Sequence, residues 1–150
     1  MPLNFLPNGN LEPGIHQISW LEFVAEYGYT NYRKQLIIGL KIALNLLKKH
    51  NCQRVYIDGS FTTKKLVPGY WDACYDPSGM DLHKMEIEDP VFFDLVPPRL
   101  KQKDRFKGEI FLSNARADLA GRTFLEFFQR NKRDQTSKGI IELSLQNYII

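Results

Sequence analysis

Residues 54–76 read RVYIDGSFTTKKLVPGYWDACYD, and this stretch decides the fold. Arg54 to Asp58 alternates, with Val55 and Ile57 pointing one way and Tyr56 and Asp58 the other, which predicts a short strand. The strand runs into Gly59-Ser60, a basic loop holding Lys64 and Lys65, a Pro68-Gly69 turn and a second strand over Tyr70 to Tyr75. A glycine at such a turn lets the backbone approach a ligand closely, and Ser60 can donate a hydroxyl and an amide to phosphate oxygens. Asp72 on the second strand could then hold the magnesium that travels with a nucleotide. Strand, Gly-Ser turn, gap and acidic strand together suggest a phosphate-handling site.

Upstream, residues 1–14 hold three prolines and two glycines, so an irregular arm is expected there and a single domain over 15–150. Ser19 and Glu22 form a capping box with Ile18 and Phe23 as its hydrophobic staple, which predicts a helix from Trp20 to Tyr27 ending at Gly28. A longer helix follows Thr30 or Asn31, with Leu36, Leu40, Leu44 and Leu47 at helical spacing. Downstream, Val91 to Val96 reads better as a helix than as a strand. Arg99 to Phe106 is expected to be helical after Pro98, and Glu109 to Leu112 a strand. Thr123 to Arg130 reads as a helix with Phe124, Phe127 and Phe128 inward, and Ile140 to Leu145 closes the sheet. The class is mixed α/β of the α+β type, a small mixed sheet flanked by helices.

The chain has 150 residues, about one domain, and a net charge of +3 that does not demand a nucleic-acid partner. The start MPLNFLPNGNLEPG lacks the pattern of a signal peptide, and no run approaches the roughly 18 apolar residues of a membrane span, so a cytoplasmic protein is expected. Cys52 and Cys74 have neither Cys-x-x-Cys spacing nor a histidine pair beside them, and read as buried thiols rather than zinc ligands. His50 at the end of the long helix suits a structural role. The basic run Arg99, Lys101, Lys103, Arg105 and Lys107 and the loop with Arg130, Lys132, Arg133 and Lys138 read mainly as solvated faces, with nucleic-acid phosphates as the other reading.

The stretch resembles the signature of the nucleotidyltransferase fold of the DNA polymerase beta superfamily: a hydrophobic residue, Gly-Ser, a gap, then Asp-x-Asp. Tyr70-Trp71-Asp72 stands where Asp-x-Asp belongs, so only the second carboxylate is kept. PGIHQISWLEFVAEYG, RVYIDGSF, GRTFLEFFQRN and KGIIELSL also look like a small bacterial and phage family of nucleotidyltransferase-like proteins. The resemblance implies a minimal nucleotidyltransferase domain, with Gly59, Ser60 and Lys64 at the phosphates of a nucleoside triphosphate and Asp72 as catalytic and metal-binding acid with Mg2+. It also implies an acceptor hydroxyl on protein or RNA, in a toxin-antitoxin or phage-defence setting.

A two-metal site needs more than one carboxylate. Asp76 shares a face with Asp72, but four residues of strand separate their backbones by roughly 13 Å, too far for one cluster. Asp58 at the end of the adjacent strand is the better second metal ligand, and Glu109 on the third predicted strand is the candidate third, catalytic acid. The competing reading takes Tyr70 as the sign of a catalytically degraded fold that works by binding a protein partner.

Overall fold

In the computed structural model, which describes residues 3–58, 60–131 and 134–146 and Ser60 by its backbone alone, local signals and elements agree closely. The Ser19–Glu22 capping box is formed in both directions and starts α1 (Trp20–Tyr27). Thr30 caps α2 (Asn31–Lys49) by accepting from the Arg33 amide, and the leucine stripe of this helix is buried.

Five strands form one sheet: β1 (Gly14–Gln17), β2 (Arg54–Asp58), β3 (Trp71–Tyr75), β4 (Gly108–Leu112) and β5 (Gly139–Ser144). Their order is β1-β5-β2-β3-β4; β1 is parallel to β5, β3 is parallel to β4, and β2 is antiparallel to both its neighbours. The fold is thus the expected α+β one, a small mixed sheet flanked by helices. Alternation along β2 works as the sequence suggests. Val55 and Ile57 enter the main core with α1 and α2, together with α3 (Leu82–Glu88) and α4 (Leu100–Phe106). Tyr56 faces the other way, into a smaller cluster with Cys74, Phe111 and Phe128 under α5 (Phe124–Phe128).

Three differences from the sequence reading have physical causes. The N-terminal arm is irregular, as expected, up to Pro13, but it is packed: Leu11 is buried, Phe5 and Leu11 form a β-bridge, and β1 begins at Gly14 as an edge strand. A partner strand far along the chain supplies its hydrogen bonds, and no local pattern announces that. Helix α3 lies in a stretch that reads as polar because it buries only Met85. The apolar run from Val91 makes only a 3-10 turn over Pro90–Phe93, sinking Val91 and Phe92 into the core, while Leu95 and Val96 are exposed.

Helix α2 packs so closely on the end of α4 that a Cβ on Gly39 would lie 2.1 Å from the Phe106 carbonyl oxygen. A second close approach governs the sheet. Trp71 is paired with Gly108, and a Cβ there would lie 2.1 Å from the indole; the Trp71 Nε1–H donates to the Phe106 carbonyl at 2.8 Å. Gly108→Ala therefore overpacks a fully buried site. It is expected to cost about 3 kcal/mol, read as a lower urea midpoint.

At the other end of α2, His50 Nε2 lies 2.6 Å from Asp89 Oδ2 and Lys49 Nζ 2.9 Å from the same oxygen, tying α2 to the end of α3. Burial pushes the Asp89 carboxyl up, but the hydrogen bonds and charges of His50 and Lys49 outweigh it, so its pKa lies below the ordinary aspartate value. A carboxyl depressed on folding adds stability above its unfolded pKa of about 3.9 and loses it as the pH falls through the folded value. The acid limb of the stability curve is therefore expected to be shallower in Asp89→Asn than in the wild type, measured by urea unfolding between about pH 5 and 3.

Candidate functional site

The register of the three strands β2, β3 and β4 assembles the acids. Asp58 stands opposite Asp72, and Asp72 opposite Glu109. Directly paired residues project from the same face, so the three carboxylates form a row across the sheet, about 4.8 Å from strand to strand. Asp72 is central, and the outer two are about 9.6 Å apart at the backbone. Asp58, Asp72 and Glu109 are the residues that would hold a divalent cation here, although their oxygens do not all lie within 4.8 Å of one another. Asp76, at the far end of β3, accepts a hydrogen bond from the Ser78 amide and caps the turn.

The row opens onto a cleft of about 1300 Å³. Opposite kinds of side chain line it. One part carries Asp58, Asp72, Glu109, Lys64, Lys65, Arg99 and Lys138; another is aromatic, with Phe111, Phe124, Phe127 and Phe128. Phe111 and Phe124 are stacked with centroids 4.1 Å apart. The helical spacing of Phe124, Phe127 and Phe128 suggested core alone, but only Phe128 is buried, and half-buried Phe124 and Phe127 face the cleft. Sheet and helix together make this wall, so helical periodicity could not reveal it.

The outer acids carry cations. Lys138 Nζ lies 2.9 Å from Asp58 Oδ1, while Glu109 accepts from the Arg99 Nε–H and has Lys103 Nζ 3.6 Å from its other oxygen. The basic runs around Arg99 and Lys138 thus include two residues aimed into the site rather than only solvated faces. Lys64 is placed differently from the expectation. It lines the cleft, but its ammonium sits 4.2 Å from the Phe5 ring and 3.4 Å from Glu26, and its amide donates to the Gly9 carbonyl. Its side chain holds the N-terminal arm. Gly59, the Ser60 side chain, Lys132 and Arg133 lie outside the described residues. Tyr70, just before β3, is 48% exposed, with Lys103 Nζ 5.4 Å from its ring centroid.

A family model matches residues 3–144, nearly the whole chain. The chain belongs to DUF6932, a family of unknown function. No curated protein and no solved structure matches it.

What positions the cleft in this DUF6932 chain is a buried arginine that no motif announces. Arg33, on the first turn of α2, is fully buried and donates to the backbone carbonyls of Tyr27, Phe61, Thr63 and Lys65 at 2.6–3.4 Å. Its guanidinium lies 4.7 Å from the Tyr29 ring centroid and 4.8 Å from that of Phe61. The fork thereby gathers the loop between β2 and β3, whose Thr63, Lys64 and Lys65 line the cleft. In sequence the residue is one basic position in a helix with many, and three of its four partners lie about 30 positions away.

Other chemistry is less well served. His50, Glu88 and Asp89 are the only group of three or more His, Cys, Asp or Glu among the described residues whose ligand atoms lie within 4.8 Å of one another, and Lys49 already sits on both acids. Burial pushes both thiols up, Cys52 to about 12, so neither is a thiolate near neutral pH.

Arg33→Met removes the guanidinium from four carbonyls, of which that of Lys65 keeps the Tyr29 hydroxyl, and is expected to cost about 3 kcal/mol or more in urea unfolding. Trypsin supplies a local check. Cleavage after Lys64 and Lys65 should speed up in the variant well before the rest of the chain is cut.

Proposed function

We propose that this protein binds a nucleoside triphosphate with magnesium in the cleft and transfers its nucleotidyl group to a hydroxyl on protein or RNA. The observation that carries the reading is the row Asp58–Asp72–Glu109, brought into register on one face of the sheet beside basic and aromatic walls. Phosphoryl chemistry asks for positioning and charge neutralisation more than for covalent help, and such a row offers both.

In this reading the acceptor oxygen forms a bond to the α-phosphorus, the bond from that phosphorus to the bridging oxygen breaks, and pyrophosphate leaves. Magnesium would neutralise the phosphate oxygens. Asp72 bridges the centre of the row, Asp58 and Glu109 hold its two ends, and the row also offers a carboxylate to take the hydroxyl proton. Lys65 and Lys138 draw the polyphosphate in, and the half-buried rings of Phe124 and Phe127 give the base an apolar wall to lie on. Asp58 supplies from the adjacent strand the carboxylate that Tyr70 withholds. The roles in toxin-antitoxin pairs or phage defence come from the superfamily resemblance alone. Two free cysteines and a nucleotide substrate suit the cytoplasm, and no helix among the described residues is long and apolar enough to cross a membrane.

A second reading is favoured by Tyr70, a half-exposed phenol where the superfamily signature has an acid: the fold would persist without catalysis and serve to bind a protein partner.

Calorimetric titration with each nucleoside triphosphate, with and without magnesium, separates the two. Metal-dependent binding that falls at least about tenfold, or about 1.4 kcal/mol, in both Asp58→Asn and Asp72→Asn is expected. Folded wild-type protein that binds no nucleotide would leave the partner-binding reading.

A further inference from the structure

The three acids share a face, yet their oxygens do not converge: they are not all within 4.8 Å of one another. Each outer acid is turned onto a cation instead, Asp58 onto Lys138 and Glu109 onto Arg99 and Lys103. Arg99 is built into this arrangement. Its Nη1 donates to the Leu95 carbonyl at 3.1 Å, and its guanidinium carbon lies 5.0 Å from the Phe111 ring centroid. Its backbone is left-handed, with φ 54° and ψ 47°, a conformation that a non-glycine residue keeps only where its surroundings over-determine it. The side chain therefore starts from a defined place on the cleft wall.

We propose that the Glu109–Arg99 pair is a counter-ion exchange, in which a divalent cation that takes Glu109 frees the Arg99 guanidinium to bind the phosphates arriving with it. This rests on the nucleotide reading and goes beyond it by making Arg99 a phosphate-recognising residue whose use is coupled to the metal.

Charge balance is the reason. Asp58, Asp72 and Glu109 are matched in number by Lys138, Arg99 and Lys103. A bare divalent cation must compete with these cations for the carboxylates, and it adds positive charge beside them. A bare polyphosphate meets a guanidinium already committed to Glu109 and a row of acids that repels it. When metal and polyphosphate arrive together, Glu109 exchanges a guanidinium for a metal and Arg99 exchanges a carboxylate for a phosphate, so neither Glu109 nor Arg99 is left without an opposite charge. The planar fork of arginine serves both partners, because carboxylate and phosphate present the same pair of oxygens to it. The exchange predicts positive coupling between metal and polyphosphate, and coupling of this kind is reciprocal.

Two titrations on the full chain test it with Arg99→Gln: Mn2+ alone, followed by the electron spin resonance of the free ion, and inorganic tripolyphosphate in saturating Mg2+, followed by calorimetry. Losing one of the two cations on Glu109 should tighten Mn2+ binding about tenfold, while losing the fork should weaken tripolyphosphate binding by a similar factor. Opposite shifts are the signature. A merely structural Arg99 would weaken both, and that result overturns the exchange, as does a variant in which neither changes. Arg99→Lys keeps the charge without the fork and should fall between the two proteins in the tripolyphosphate titration. If folded wild-type protein binds neither probe, the nucleotide reading falls and takes the exchange with it. If wild-type binding is present and is lost in Asp72→Asn, but Arg99→Gln shifts nothing, only the exchange falls.

Discussion

The indole of Trp71 lies against the bare backbone of Gly108, its N–H bonded to the Phe106 carbonyl, and this contact sets which residues of the third and fourth strands face each other. A side chain of any size at position 108 would collide with the ring, so the parallel pair has one close-packed register. One residue further along both strands, the same register stands Asp72 beside Glu109. On the other side the antiparallel pairing with the second strand adds Asp58. A slip of one residue would turn every side chain of a strand to the opposite face and send an acid into the core. Packing on one face of the sheet thus determines the chemistry offered on the other.

Arg33 does for the loop what Trp71 does for the strands. The loop between the second and third strands leaves Leu66 and Val67 exposed, and its carbonyls would be costly to bury without donors. A guanidinium supplies several donors from one point, and the ring of Phe61 shields it. Among the described residues no carboxylate is paired with it, so its positive charge is spread over neutral carbonyl dipoles beside a cleft that already holds lysines. Charge then shapes the site as a whole. Acids and cations are interleaved across it, with Lys138 on Asp58 and Arg99 and Lys103 on Glu109, so the protein can keep several like charges close together without a ligand.

Local signals were the most legible. The capping box at Ser19 and Glu22, the leucine stripe of the long helix and the alternation of Arg54 to Asp58 each carry their meaning within a few residues, because they are satisfied by near neighbours in the chain. Asp72 stood out for the same reason, as an acid on a strand shortly after a Gly-Ser turn, and Asp58 followed as the last residue of the adjacent strand. Glu109 was reachable only as an acid on a third strand, since its place beside Asp72 depends on how two segments more than 30 residues apart pair. The short edge strand at Gly14–Gln17 and the helix at Leu82–Glu88 escaped notice, the first because its partner is remote and the second because it buries one residue.

By itself the sequence determined the class of the fold and most of its elements, including the two strands that carry Asp58 and Asp72, since these follow from periodicity, capping and turn chemistry acting over short range. Only the tertiary structure decided that Asp58, Asp72 and Glu109 form one row, that Arg33 holds the loop beside it, that Lys64 clasps the N-terminal arm and that Arg99 and Lys138 sit on the acids. Each of these depends on register and long-range packing, where a side chain's partner is chosen by the geometry of the assembled sheet and not by its neighbours in the chain.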